Sequence, residues 1–125
     1  MTTKLLIADD SVLMRDIIKD SLIEAFPGII VREAATGKEA QRKLENEHFD
    51  IVLCDWEMPE LSGLDLLKWV RSTPSLATLP FIMVTGTTAK GSVEECISEK
   101  VTGYIVKPFT PEVLCQKIGA ILKMK

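Results

Sequence analysis

Cysteine is scarce in this chain, and what there is excludes two classes at once. Cys54, Cys96 and Cys115 are odd in number, widely spaced and free of any CxxC or Cys/His pattern, so neither a disulfide framework nor a zinc site is indicated. Each falls in an apolar strand or helical pattern and reads as a small hydrophobe. Histidine is scarcer still. His48 is the only one, it lies in the polar turn "ENEHFD", and it reads as a surface-loop residue rather than a functional one. No run of about 18 apolar residues exists to cross a bilayer, and the N-terminus "MTTKLLIADD" has no long apolar core of a signal peptide. The expectation is a soluble, cytoplasmic protein with no membrane partner. A basic excess is missing too. Fifteen Lys and Arg against 18 Asp and Glu leave a net charge of -3, which argues against direct nucleic-acid binding. Lys117, Lys123 and Lys125 gather near the end and read as cations facing the negative end of a last helix. Linkers, repeats and low-complexity stretches are absent. With 125 residues, 46% of them apolar, the chain supports one domain, 1–125, with a true core.

What is present is an alternation. "KLLIAD" (4–9), "IIVREA" (29–34), "DIVLCD" (50–55), "PFIMVT" (80–85) and "GYIV" (103–106) read as strands. The second is the most polar and is expected nearer an edge. Helical spacing follows each one. Val12, Leu13, Met14, Ile17, Ile18 and Leu22 recur along the first helix, which ends near "AFPG". "TGKE" (36–39) is a capping box opening the second helix, which runs to about Asn46. "SGLD" opens the third, to about Ser72. "SVEE" (92–95) is a second capping box, expected to open the fourth. "TPEV" (110–113) puts Thr at the N-cap and Pro at the first position of the last. The strands are continuous apolar runs, as expected when helices cover both faces of a parallel sheet. The fold class is therefore α/β, doubly wound, with five parallel strands. In such sheets ligands bind beyond the carboxyl ends of the strands.

Those ends carry polar groups. The first strand ends in Asp9-Asp10, the third in Asp55, the fourth in Thr85 followed by Gly86, and the fifth in Lys107-Pro108. Three carboxylates brought together repel one another and call for a cation. A hard divalent ion with oxygen ligands fits, and Mg²⁺ prefers one or two carboxylates together with water and phosphate. Lys107 is a point charge for Asp55 or for a bound anion, and the Thr85 hydroxyl donates one hydrogen bond. A carboxylate so surrounded is equipped to accept a phosphoryl group. Singly, each residue has a blander reading: Asp9-Asp10 as the cap of the first helix, Lys107-Pro108 as loop, Thr85 as strand. Their coincidence at one rim favours the chemical reading.

With "ADD", "LCDWEMP", "VTG" and "GYIVKPF" in hand, the chain resembles response-regulator receiver domains of the single-domain, chemotaxis CheY-like kind, over essentially its whole length. The separations fit as well: 30 residues from Asp55 to Thr85 and 52 from Asp55 to Lys107. The resemblance implies a flavodoxin-like (βα)5 fold with strand order 2-1-3-4-5. It implies Asp55 as the phosphoacceptor and a Mg²⁺ ion held by Asp10 directly, Asp9 through water, Asp55 and the backbone carbonyl of Glu57. Thr85 and Lys107 then contact the phosphoryl group, and Tyr104 is the switch that turns inward when Thr85 moves. A cis Lys107–Pro108 peptide and an output face on helix four, strand five and helix five are also implied. Without the resemblance, Tyr104 reads as ordinary strand packing.

The function expected is a monomeric phosphorylation switch of a two-component system rather than an enzyme, apart from catalysing its own phosphorylation and dephosphorylation. Its partners would be a histidine kinase or histidine phosphotransfer protein and a downstream protein such as a flagellar motor switch. The alternative is the receiver part of a longer regulator, or a phosphorelay shuttle. An aspartate-nucleophile phosphatase would use an acid two residues past the nucleophile, where Glu57 stands, but no cap domain accompanies it. A flavin protein of the same fold would need a phosphate loop after the first strand, and "DDSVLM" is acidic there. Glu57, where chemotaxis receivers typically carry Asn, and Thr87, two beyond Thr85, are the residues expected to tune phosphoryl lifetime. Lys100 stands where a helix-ending glycine is usual. Trp56 is placed to report on the site, and Trp69 reads as helix packing.

Overall fold

Successive residues of a strand point to opposite faces of a sheet, and here both sets are apolar. That pattern demands cover on both sides. The computed structural model describes residues 2–86 and 90–123, with residues 90–93 described by their backbone alone. It contains β1 (Lys4–Ala8), α1 (Val12–Ala25), β2 (Ile30–Ala34), α2 (Gly37–Asn46), β3 (Ile51–Asp55), α3 (Gly63–Ser72), β4 (Phe81–Thr85), α4 (Lys90–Ser98), β5 (Gly103–Val106) and α5 (Pro111–Lys123). The strands form one parallel sheet in the order β2-β1-β3-β4-β5, as the resemblance implied. The polar second strand is indeed an edge.

Two apolar layers sandwich the sheet. On one face Leu5, Ile7, Ile51, Leu53, Ile82, Val84 and Ile105 pack with Ile18 and Leu22 of α1 and Leu114, Ile118 and Ile121 of α5. On the other, Leu6, Val52, Cys54, Phe81 and Met83 pack with Ala40 and Leu44 of α2, Leu66, Leu67 and Val70 of α3, and Cys96 of α4. Trp69 rests against this second layer, as expected. At about 25 cal/mol per Å² of apolar surface removed from water, this burial is the main force holding helices to sheet.

Local signals placed most helix boundaries. Thr36 Oγ1 accepts from the Glu39 amide at 3.0 Å and caps α2, while Thr110 Oγ1 accepts from Val113 at 3.2 Å and caps α5. The fourth helix departs from expectation. It begins at Lys90, so Ser92 lies inside it instead of capping it. A cap contributes only about 1 kcal/mol, too little to stop a helix propagating through two preceding residues that tolerate its dihedrals. That helix ends at Lys100 in the left-handed conformation, φ 61°, where glycine is usual. The Lys100 amide donates to the Ile97 carbonyl at 3.0 Å and the Val101 amide to the Cys96 carbonyl at 3.1 Å. The lysine thus completes the same Schellman closure a glycine would. Arg71 holds this turn from α3, donating to the carbonyls of Lys100 and Leu79 at 3.0 and 2.7 Å.

The Lys107–Pro108 peptide is cis. Cys54 and Cys96 are buried and Cys115 is half-buried, with no disulfide among them. His48 is exposed, yet its ring has a neighbour: Nε2 lies 3.6 Å from Asp50 Oδ1. Among the described residues, no helix is long and apolar enough to cross a membrane. Thr87 and Lys125 lie outside the described residues.

Candidate functional site

Register decides which strand ends meet. Ala8 pairs with Cys54, so Asp9 and Asp55 leave neighbouring strands side by side. Asp55 pairs with Val84, and Thr85 pairs with Val106, so Thr85 and Lys107 follow at the same rim. Backbone bonds pin these exits. The Asp9 amide donates to Ala34 O at 3.0 Å, Trp56 to Val84 O at 2.8 Å and Lys107 to Thr85 O at 2.8 Å. A cleft lined by Asp55, Trp56, Glu57, Thr85, Gly86 and Lys107 opens there.

Burial singles out the same residues. Among the described residues the buried polar or charged ones are Asp9, Asp55 and Thr85, at 2%, 8% and 4% exposure, and all three belong to this rim. Burying a carboxylate is costly unless a partner compensates it, so a fold that needed only stability would not concentrate them. One ligand oxygen from each of Asp9, Asp10 and Asp55 lies within 4.8 Å of the others. Lys107 supplies the compensating charge. Its Nζ stands 3.4 Å from Asp55 Oδ1 and 3.5 Å from Asp9 Oδ2. Burial and then the Asp9 charge push the Asp55 carboxyl above the usual aspartate range, Lys107 opposes them, and Asp10 adds a smaller upward push. One lysine against three carboxylates leaves negative charge in excess. A bound divalent cation would relieve it, and the all-oxygen donor set fits Mg²⁺.

The helix-cap reading of Asp9-Asp10 does not hold. Ser11 caps α1, its Oγ accepting from the Met14 amide at 3.1 Å. Asp9 Oδ1 accepts from the Ser11 amide at 2.8 Å and so braces the turn, while Oδ2 faces the site. Asp10 is exposed at the mouth. The Glu57 side chain is exposed as well and lines the cleft, so a fourth acidic residue stands at the rim. Thr85 is buried at the end of β4. Tyr104 sits on the edge strand β5, 36% exposed and two strands away from Asp55. Trp56 is partly buried beside Asp55, packed on the second apolar layer. The thiol of Cys54, next in line, is pushed well up by burial and by the Asp55 and Asp9 charges, which leaves it inert.

Sequence reasoning missed two supports. Arg15 Nη1 donates to the Asp9 carbonyl at 2.6 Å and its Nε to Glu33 Oε1 at 3.1 Å, which ties the β1–α1 turn to β2. Gly63 is buried against the end of β3: a Cβ there would collide with the Asp55 carbonyl and stand 3.0 Å from Met83 Sδ and from Trp56 Cα. The one available signal was glycine at the first position of a helix, a place where it contributes little to helix stability.

Comparison with known proteins agrees with this geometry. The family model described as "Response regulator receiver domain" matches residues 5–119. The chain belongs to the response-regulator receiver family. It is 43% identical to the chemotaxis protein CheY1 of Helicobacter pylori, over 95% of this chain and 96% of that protein. It is 40% identical to the chemotaxis protein CheY of Pseudomonas aeruginosa, over 96% of each. Among solved structures, a putative response regulator from Chloroflexus aurantiacus superposes with a TM-score of 0.91 at 31% identity, covering 98% of this chain and 99% of that one. The chemotaxis response regulator CheY4 of Vibrio cholerae gives 0.89 at 32%, covering 97% and 99%. The receiver's setting is two-component signalling of the chemotaxis type, in which phosphorylation and Mg²⁺ are general.

Proposed function

We propose that Asp55 accepts a phosphoryl group from a phosphohistidine on a partner kinase or phosphotransfer protein. A carboxylate oxygen of Asp55 attacks phosphorus. The P–N bond breaks, its electron pair returns to the imidazole, and an aspartyl phosphate forms. Asp10, Asp9, Asp55 and the Glu57 carbonyl would hold Mg²⁺, which when bound neutralises charge on the transferring group. Lys107 adds a second positive charge at the same point, and the Thr85 hydroxyl donates to a phosphoryl oxygen. Hydrolysis of the acyl phosphate returns the carboxylate and resets the site.

The observation that carries this reading is the buried Asp55 flanked by Asp9 and bridged by Lys107 at 3.4 Å. Such an array is costly as structure and useful as chemistry. Residues 1–125 act as one receiver domain whose output is protein contact. Phosphorylation draws Thr85 toward the anion, and Tyr104 turns inward from its half-exposed position, remodelling the face formed by α4, β5 and α5. A flagellar motor component is the downstream target in keeping with chemotaxis relatives. Small acyl phosphates serve as alternative donors.

The test is intact mass after incubation with a small acyl-phosphate donor, with and without Mg²⁺, for wild type and Asp55→Asn. One Mg²⁺-dependent phosphoryl adduct, absent in the variant, is expected. An unmodified wild-type protein that binds Mg²⁺ would overturn the reading.

A further inference from the structure

The loop of residues 56–62, between β3 and α3, carries the Glu57 carbonyl and Trp56, and it is held at two points. At its base the Gly63 amide donates to the Trp56 carbonyl at 2.8 Å. At its tip the Pro59 carbonyl accepts from the Leu61 amide at 2.8 Å and from the Gly37 amide, across from α2, at 3.4 Å. The tip is strained. Glu60 has φ 71° inside the three-residue turn closed by Pro59 and Leu61, a γ-turn of the rare, high-energy hand. Strain of this kind persists only where the surroundings impose it.

Gly37 is the residue of α2 that meets this tip. It is the first helical residue and does not have a left-handed φ, so its dihedrals do not require glycine. Space does. A Cβ at Gly37 would strike the Leu61 carbonyl oxygen, Cβ and carbonyl carbon, all of them too rigid to swing aside. We propose that Gly37 is a positioning residue for the phosphorylation site. Its bare Cα lets α2 close on Leu61, and that contact sets the height of the loop and hence of the Glu57 carbonyl. Leu61 and Met58, packed on the apolar layer beneath, transmit the placement to the rim. The proposal rests on the reading of that carbonyl as a Mg²⁺ ligand and extends it to a residue on another helix.

The experiment is a Mg²⁺ titration followed by Trp56 emission on wild type, Gly37→Ala and, as a control, Leu44→Ala, a core truncation on the same helix. Gly37→Ala is expected to need about tenfold more Mg²⁺ for half-saturation, the scale on which supporting residues act on metal sites. Its phosphorylation rate returns to the wild-type value at saturating Mg²⁺. Leu44→Ala is expected to lose stability and keep the wild-type half-saturation. Equal half-saturation in wild type and Gly37→Ala, or an equal shift in both variants, overturns the proposal. If Gly37→Ala does not fold, Leu61→Ala carries the test at the next link, leaving the backbone and Cβ of residue 61 against Gly37 but removing the packing that seats it on the apolar layer: its half-saturation must rise, and a wild-type value overturns the proposal. A wild type that shows no response to Mg²⁺ would sink the metal reading instead. Amide exchange at Trp56 and Leu61 then decides for Gly37, faster exchange in Gly37→Ala supporting it and unchanged exchange overturning it.

Discussion

Lys107 Nζ stands 3.4 Å from Asp55 Oδ1, and this contact joins the end of β5 to the end of β3 across the intervening β4. The lysine therefore competes for the same carboxylates that a divalent cation would neutralise. Lys107→Gln removes the competitor. Mg²⁺ should bind more tightly, on the order of tenfold for roughly 1.4 kcal/mol of relieved repulsion, while transfer from an acyl phosphate slows. Calorimetric Mg²⁺ titration checks it; unchanged affinity would show that the lysine swings clear without cost.

Asp55 also makes stability depend on pH. Burial, then Asp9, raise its folded pKa above the ordinary aspartate value. Between the unfolded and folded values the native state holds the extra proton, so stability falls as pH rises through that window and stays lower above it. Below the unfolded value, about 3.9, both states are protonated and the penalty vanishes. In chelator, Asp55→Asn should therefore be more stable than wild type at neutral pH and should converge with it in acid. Urea melts at both pH values test this, and a less stable variant at neutral pH would contradict it.

Lys100 occupies a conformation that costs a side-chain-bearing residue about 1 kcal/mol. Lys100→Gly keeps the carbonyl that Arg71 binds and removes the Cβ penalty. The urea midpoint is expected to rise by an amount equivalent to about 0.5–1 kcal/mol. A fall would mean that the lysine side chain contributes more than its backbone costs.

Arg71 is half-buried, and burial pulls its pKa down. Its guanidinium donates to the Lys100, Ala77 and Leu79 carbonyls and to Thr102 Oγ1, joining the loop that leads into β4 to the loop that leads into β5. A tetrahedral ammonium on a shorter reach cannot serve all of them. Arg71→Lys should cost about 2 kcal/mol, the scale of lost charge-assisted bonds, with faster amide exchange at Val101 and Thr102. Unaltered exchange at those amides would show that the turn holds itself.

Much of this protein is determined within short windows of its sequence. Apolar runs of strand length, helical spacing and the Thr36 and Thr110 caps depend on neighbours a few residues away, so the alternation of strands and helices is legible from the sequence alone. So is the polar chemistry at the strand ends, because the parallel α/β arrangement sends all of them to one rim. Tertiary structure decided the rest. Which strands lie side by side depends on packing both faces at once, and only then do Asp9, Asp55 and Lys107 meet. Ser11, next to Val12, caps α1, while the pairing of Ala8 with Cys54 sends Asp9 to the rim beside Asp55, a placement no local propensity encodes. The glycines show the division most sharply. Gly37 and Gly63 look like ordinary helix starts, and their reason lies in Leu61 and in the Asp55 carbonyl, atoms that only the folded chain brings within a Cβ of them.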